Sequence, residues 1–380
     1  MHLEHLELTD FRSYVTAEFD PAPTGITVVT GSNGAGKTNL IEAVGYLATL
    51  RSMRGAPAAA LVRSGSVSGS AVLRSRVRRE HRLLAIDAEL QSAGRDRVQV
   101  NGQPLRRTRD LLGALQVTVF SPDDLALVKG GPGGRREYLD DLMVALQPRR
   151  DTLLTELERV LKQRNALLKS VFSTGWRPGR PLPEDVRVTL DVWDSKLTSV
   201  GEELVVARTE LARELSPHVG EAYAALAEGS ASPGRLGTAL EYQVSWAGGL
   251  DAALAVARDE DLRRGVTTIG PQRDDLVLSI GAMPARTHAS QGEQRTLALA
   301  LRLAGHRLLA GAIGSAPVLL LDDVFSELDP VRAEALMANL PSLTETQAIL
   351  TTAGALPPGA VSAGSVAARY RAEDGKLLSS

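Results

Sequence analysis

The octapeptide Gly31-Ser32-Asn33-Gly34-Ala35-Gly36-Lys37-Thr38 holds the residue types that grip a polyphosphate. Its glycines let the backbone fold into a nest whose N–H groups point at phosphate oxygens. Lys37 can reach the β- and γ-phosphates, and the Thr38 hydroxyl is a ligand for Mg²⁺. Whether that chemistry is available depends on the neighbours. The apolar run Ile26-Thr27-Val28-Val29-Thr30 precedes the octapeptide, and residues 39–47 follow with helical character. Strand, glycine-rich turn and helix, in that order, aim the positive end of a helix dipole at bound phosphate. The segment is read as a nucleoside triphosphate site.

A second set of groups lies near the other end of the chain. Val318-Leu319-Leu320-Leu321 reads as a buried strand that ends in Asp322-Asp323. Carboxylates at such a strand end are placed to hold a metal and an attacking water. Asp322 is assigned to the Mg²⁺ shell through water, and Asp323 to polarising the nucleophilic water. Alone, the pair could be an acidic loop; a phosphate loop that needs such groups decides otherwise. Ser290-Gln291-Gly292-Glu293-Gln294-Arg295 precedes an apolar helix. Ser290 and Glu293 fit a capping box, and a serine-capped helix N-terminus beside Gly292 is also an anion site.

The whole chain sets wider bounds. Its 380 residues, 43% hydrophobic, suffice for two domains or one large domain with an insertion. No apolar run approaches the ~18 residues of a membrane span, and no secretory leader pattern opens the chain. Cysteine is absent, which removes disulfides and thiolate metal sites and fits a cytoplasmic location. The six histidines are scattered, without metal-site spacing. Net charge is only −2, yet residues 51–110 carry thirteen arginines against five acids. That stretch fits either a polyanion-binding surface or a solvated strand face balanced elsewhere in space.

Periodicity organises the rest. Residues 3–8 alternate, 16–19 are extended, and 67–77 place Ala71, Leu73, Ser75 and Val77 opposite Arg74, Arg76 and Arg78. Residues 82–90 and 97–100 read as further strands, with Asn101-Gly102 as a hairpin turn. Helical patterns then run over 135–146, 152–171 and 185–215, the last ending before Pro217, with a Pro/Gly turn over 175–183. They imply an antiparallel helical arm of roughly 30–45 Å. Strands are expected at 238–246 and 276–280, followed by helix 291–309, strand 317–321, helix 330–340 and strand 348–352. This alternation implies a parallel sheet shared with the phosphate loop. The expected organisation is α/β: residues 1–115 and 238–380 forming one head, split by a helical lobe over 116–237.

With Ser326-Glu327-Leu328-Asp329 placed just after the acidic strand, the order of motifs resembles that of ATP-binding-cassette proteins. More specifically, the chain resembles the RecF family of recombination mediators, related to the SMC-type ABC ATPases. The matching pieces are Leu8 to Tyr14, Gly31 to Glu42, Phe120 to Leu125, Gly134 to Asp140, Gly270 to Asp275, Ser290 to Arg295, and Leu319 to Asp329. The resemblance implies an ABC-type head with a mixed sheet core, an antiparallel flank and the inserted lobe. Lys37 and Asp323 would then be catalytic. ATP would touch Gly31 to Thr38, Arg12 and, across a head-to-tail homodimer, Ser290, Gly292 and Asp329.

Further implications are slow, DNA-stimulated hydrolysis that times release, binding to duplex or gapped DNA, and RecR and RecO as partners in RecA loading and the SOS response. No membrane partner is implied. Arg74, Arg76, Arg78 and Arg79 are the DNA candidates; 4% aromatic content gives no stacking platform for single strands. Several positions depart from relatives. Gln272 stands where the family usually has histidine. Asp323 replaces the glutamate of transporters and SMC proteins, and Thr351-Thr352 replaces the transporter switch histidine. Residues 120–125 contain no glutamine for a Q-loop. A transporter nucleotide-binding subunit and a DNA-processing ATPase with its own nuclease remain the rival readings.

Overall fold

The structure, a computed structural model, describes residues 1–105, 111, 113–176, 181–227, 237–340, 346–354, 356 and 366–379. The expected turn at 175–183 and the basic residues Arg106, Arg107 and Arg109 lie partly or wholly outside them. The chain divides into two compact units. One comprises Met1–Leu125, His218–Gly237 and Ser290–Ser380; the other comprises Ala126–Pro217 and Thr238–Ala289. Residues 116–125 therefore fall with the first unit, and residues 238–289 with the second, a different division from the one the sequence suggests.

The first unit is built on a six-stranded sheet. Its order is Lys376–Ser379, Val366–Glu373, Gly25–Thr30, Gln347–Thr352, Val318–Asp322 and Val117–Phe120. The last five strands run parallel and the first antiparallel, so the sheet is mixed. Val318–Asp322 and Gln347–Thr352 are buried at every position. Near-continuous apolar runs of this kind belong to strands covered on both faces. Three members escaped the sequence reading. Val117–Phe120 and Lys376–Ser379 are only four residues long, and Val366–Glu373 alternates half-buried and exposed positions along most of its length.

A second, wholly antiparallel sheet flanks it, in the order Tyr14–Phe19, His2–Phe11, Ser70–Arg79, Arg82–Gln91, Arg97–Val100, Gln103–Pro104. The period of two works as expected. Leu3, Leu6, Leu8, Leu73, Val77, Ile86 and Leu90 turn inward and join Leu40, Val44 and Leu47 of helix Lys37–Thr49 in one core. Asn101 and Gly102 both adopt positive φ, 51° and 72°, as the hairpin turn requires. Helix Gln291–Ile313 is long and apolar enough by composition to cross a membrane, but 61% of its apolar window is buried. It is a core helix that keeps Arg295, Arg302 and Arg307.

In the second unit, helices Pro132–Leu146, Asp151–Ser173 and Leu250–Arg264 accompany a three-stranded sheet of Met283–Pro284, Asp275–Ile280 and Thr238–Gln243. The strand at 238 stops three residues earlier than expected, and Val244 is exposed. Helix Glu184–Ala227 does not end at Pro217 but runs through it for 44 residues. Proline there removes a backbone donor and costs about 3 kcal/mol. Beyond it Val219, Ala222, Tyr223 and Leu226 are 0–2% exposed at helical spacing, and their burial offsets that loss.

Helix Asp151–Ser173 meets the long helix antiparallel, because Arg164 pairs with Asp194 while Leu168 and Val171 cluster with Leu190. At 23 residues the shorter helix spans about 35 Å. Arg164 is fully buried and anchors the arm. Its Nε donates to Asp194 at 2.7 Å, and its Nη1 donates to Asp261 at 2.6 Å and Thr267 at 2.9 Å. Removing one partner of such a network strands the opposing charges in low dielectric. Arg164→Met is expected to destabilise the protein by about 3–5 kcal/mol in urea unfolding. A loss below about 1 kcal/mol would show that the network contributes little.

Candidate nucleotide site

The phosphate loop leaves strand Gly25–Thr30 and enters helix Lys37–Thr49. Its shape needs glycine at two points. At Gly36, φ is 105°, and a Cβ would lie 2.7 Å from Ser13 Oγ and 3.1 Å from Tyr14 Oη. At Gly31, a Cβ would collide with the carbonyl oxygen of Ala372 on the C-terminal hairpin. Tyr14 Oη donates to Gly36 O at 2.9 Å, and Asn39 Nδ2 donates to Ser13 Oγ at 2.9 Å. The turn between the first two strands thus braces the loop from one side. Burial pushes the Tyr14 phenol well above its usual range, so it stays protonated and keeps donating. Lys37 is buried, and its Nζ donates to Gly31 O and Ser32 O, each at 2.9 Å. Ser32, Asn33 and Gly34 are exposed, Ala35 half-buried.

The acidic strand meets this loop through hydroxyls. Asp322 Oδ1 accepts from Thr38 Oγ1 at 3.1 Å and from Thr351 Oγ1 at 2.7 Å. Burial raises the Asp322 carboxyl above its ordinary pKa, and the two hydroxyls partly oppose that shift. Asp323 adopts the left-handed conformation, with φ 48°. Its N–H donates to Thr351 O at 3.2 Å and to Thr351 Oγ1 at 3.0 Å. Asp323 Oδ1 is buried without a hydrogen-bond partner, which marks an acceptor held ready for a group outside the chain. Hydroxyl and carboxylate oxygens side by side are the hard donors that Mg²⁺ takes.

Thr351 holds the Asp322 carboxylate and the Asp323 backbone, yet the sequence singled it out only as replacing a histidine. The signal was present: two hydroxyls end an otherwise apolar strand, and parallel register sets Thr351 opposite Asp322. Arg12 contacts the phosphate-loop helix. Its Nε and Nη2 grip both oxygens of Glu42 at 2.8 and 2.9 Å, and Nη1 donates to Ala60 O at 3.0 Å. Glu42 is fully buried on the phosphate-loop helix, so Arg12 reaches that helix rather than the loop itself.

The signature segment forms the capping box its sequence suggests. Glu293 N donates to Ser290 Oγ at 3.3 Å, and Ser290 N donates to Glu293 Oε2 at 2.7 Å. Asp329 caps helix Pro330–Asn339 by accepting from Arg332 N at 3.0 Å, and that bond is the chief reason its carboxyl lies below the usual range. Among the described residues, no hydrogen bond or ion pair joins Ser290, Gly292 or Asp329 to the phosphate loop.

The chain matches the model of the RecF/RecN/SMC N-terminal domain over residues 2–356. It is 46% identical to the DNA replication and repair protein RecF of Streptomyces avermitilis, over 88% of this chain and 90% of that protein. With the RecF of Frankia alni it shares 44% identity, over 93% of each. This chain belongs to the RecF family. Among solved structures, the recombination mediator protein RecF-ATP superposes with a TM-score of 0.85 at 27% identity, over 100% of this chain and 97% of that one. An Smc head bound to a ScpA domain shares the fold, with a TM-score of 0.55 at 17% identity over 100% and 96%. The architecture is therefore an ABC-type ATPase head with a helical lobe.

The DNA candidates lie mostly on the outer face of the antiparallel sheet, and acids surround them. One cross-strand row reads Glu18, Glu7, Arg74, Asp87. Arg74 pairs with Glu7 at 3.2 Å, and Arg78 pairs with Glu4. Arg79 points to the opposite face and donates to Gly113 O at 2.6 Å. Arg76 is exposed and has no ion pair among the described residues. Arg63, Arg74 and Arg78, of residues 51–110, thus pair with acids outside that stretch.

Two family motifs have a structural explanation inside the second unit. Arg135 grips both oxygens of Asp275 at 2.7 and 2.9 Å, and Arg208 grips those of Asp140 at 2.8 and 2.7 Å. Arg208 also reaches Tyr242 Oη and Pro271 O, while Tyr242 donates to the buried Asp274. Gln272 Nε2 donates to Ile269 O at 3.0 Å, an intrasegment bond. These residues pack the lobe.

The Thr351 hydroxyl gives the site a direct test. Thr351→Val keeps the shape and removes the hydroxyl that bonds the Asp322 carboxylate and the Asp323 backbone N–H. The Mg²⁺ concentration for half-maximal ATP turnover is expected to rise about tenfold or more. An unchanged Mg²⁺ requirement would contradict this role.

Proposed function

We propose that this protein is an ATP-controlled DNA-binding protein of replication and repair, which dimerises head-to-tail around two nucleotides. The observation that carries this reading is a phosphate loop bonded to its acidic strand, and a capped signature helix whose Ser290 and Gly292 have no hydrogen bond to the phosphate loop or to Asp322 and Asp323 among the described residues. Both are anion sites, and a nucleotide's charge placed between them would join two copies. The ATP form of the solved RecF relative supports ATP as that nucleotide.

In this mechanism the loop N–H groups and Lys37 hold the phosphates, while Ser290, Gly292 and Asp329 of a second copy face them. Thr38 and Asp322 would hold Mg²⁺, which supplies neutralisation of phosphate charge when bound. Asp323 accepts a hydrogen bond from the attacking water through its unpartnered Oδ1. Its short side chain and fixed backbone suit slow turnover. Closure then binds duplex or gapped DNA through its phosphates, and hydrolysis releases it. Arg76 can meet a phosphate without first leaving a carboxylate; Arg74 and Arg78 must exchange partners. RecR and RecO would act with this protein in loading RecA and in the SOS response, in the cytoplasm.

Ser290→Arg should still bind ATP but should remain monomeric in sedimentation with ATP. Normal dimerisation would remove the signature from the shared site. Asp323→Asn should bind ATP normally and prolong the dimer, with turnover reduced at least about 100-fold, the order seen when a catalytic acid–base group is lost. DNA affinity should fall steeply with salt, in proportion to the phosphates engaged. Salt-independent binding would contradict the phosphate-contact model.

A further inference from the structure

The first turn of the signature helix is covered by a cation from another helix. A Cβ at Gly292 would lie 3.0 Å from Arg332 Nη2, 3.3 Å from Nη1 and 3.4 Å from Cζ. The two terminal nitrogens of the guanidinium therefore lie against the glycine. Arg332 is the third residue of helix Pro330–Asn339. Its backbone N–H donates to Asp329 Oδ1 at 3.0 Å, and its Nη1 donates to Asp329 Oδ2 at 2.5 Å. One side chain therefore spans the signature glycine and the acid that follows the catalytic strand.

This placement runs against ordinary helix electrostatics. A cation at a helix N-terminus opposes the dipole, and Arg332 stands at two such ends. Asp329 supplies a counter-charge at one of them and Glu293 at the other. Nε of Arg332 is buried without a hydrogen-bond partner, a further cost. Any side chain at residue 292 would push the guanidinium away, so Gly292 serves Arg332 as well as the helix terminus.

We propose that Arg332 is a positioning residue that clamps the Asp329 turn onto Gly292. Two segments from different helices then present one rigid surface to the nucleotide of a second copy. The inference rests on the shared-site reading above and adds to it the residue that aligns the incoming half. A forked group is needed, because both terminal nitrogens must lie against Gly292 while Nη1 donates to Asp329.

The test measures ATP-dependent dimerisation by sedimentation velocity in Arg332→Ala, Arg332→Lys and Ser290→Arg. Melting temperature and the ATP affinity of the monomer are read alongside. Both Arg332 variants are expected to need about tenfold more protein to dimerise, the scale of coupling between contacting residues. Their ATP affinity should stay at the wild-type value, because the loop that binds ATP within the same copy is untouched. Lysine should not rescue. Wild-type dimerisation in Arg332→Ala, or full rescue by lysine, would overturn the clamp while Ser290→Arg stays monomeric. Dimerisation of Ser290→Arg would instead overturn the shared site beneath it. Should Arg332→Ala fold poorly, Arg332→Lys decides by the same criterion.

Discussion

A single oxygen atom organises the head. Asp322 Oδ1 accepts hydroxyl protons from Thr38 and Thr351, residues 284 and 29 positions away in sequence. Three parallel strands must lie side by side for that meeting to occur: the one before the phosphate loop, the one carrying Thr351 and the one ending in Asp322. The buried apolar runs of those strands supply the driving force, and their register sets where the polar ends fall. A one-residue slip would turn Asp322 to the other face of the sheet and leave Thr38 without its partner. The chemistry of the site and the packing of the core are therefore one constraint. The second half-site obeys a similar economy, since the capping bonds of Ser290 and Asp329 end two helices at the places where backbone N–H groups are exposed.

Much of this was readable from residue types. The phosphate loop sits on a strand and opens a helix, the signature serine forms its capping box, and the acidic pair ends a buried strand. Each of these is a local pattern whose meaning lies within a few residues. What escaped was long-range. Thr351 matters because of its register opposite Asp322, and register between strands that far apart in sequence leaves no local mark. Arg12 is a chain neighbour of nothing it binds: its partner Glu42 is 30 residues away. Pro217 suggested a helix end, and tertiary burial of Val219 to Leu226 carried the helix past it. The short strand Val117–Phe120 lacked the length for a periodic signal.

Charge pairing in space offsets part of the excess counted along the chain. The arginines at 74, 76 and 78 alternate with apolar residues as a half-buried strand demands, but the adjacent strands supply Glu4, Glu7 and Asp87. The same chemistry takes another form in the second unit, where Arg135, Arg164 and Arg208 are buried and each is held by a carboxylate. Such pairs stabilise little against an apolar alternative, but a broken one is costly, so they fix which helices and strands meet. Two sequence motifs with the look of functional sites, around Arg135 and around Asp274, are explained in this way.

The central claim is that each nucleotide is held by two copies of the chain, and complementation tests it most directly. Lys37→Ala lacks a working phosphate loop, and Ser290→Arg lacks a working signature. A mixed dimer of the two contains one site whose loop and signature are both intact. Each variant alone is expected to show no ATP-dependent dimer and no turnover, and mixing them should restore both, with turnover at up to about half the wild-type level per dimer. A mixture as inactive as its components, under conditions where both bind partners in the wild-type background, would contradict the shared site.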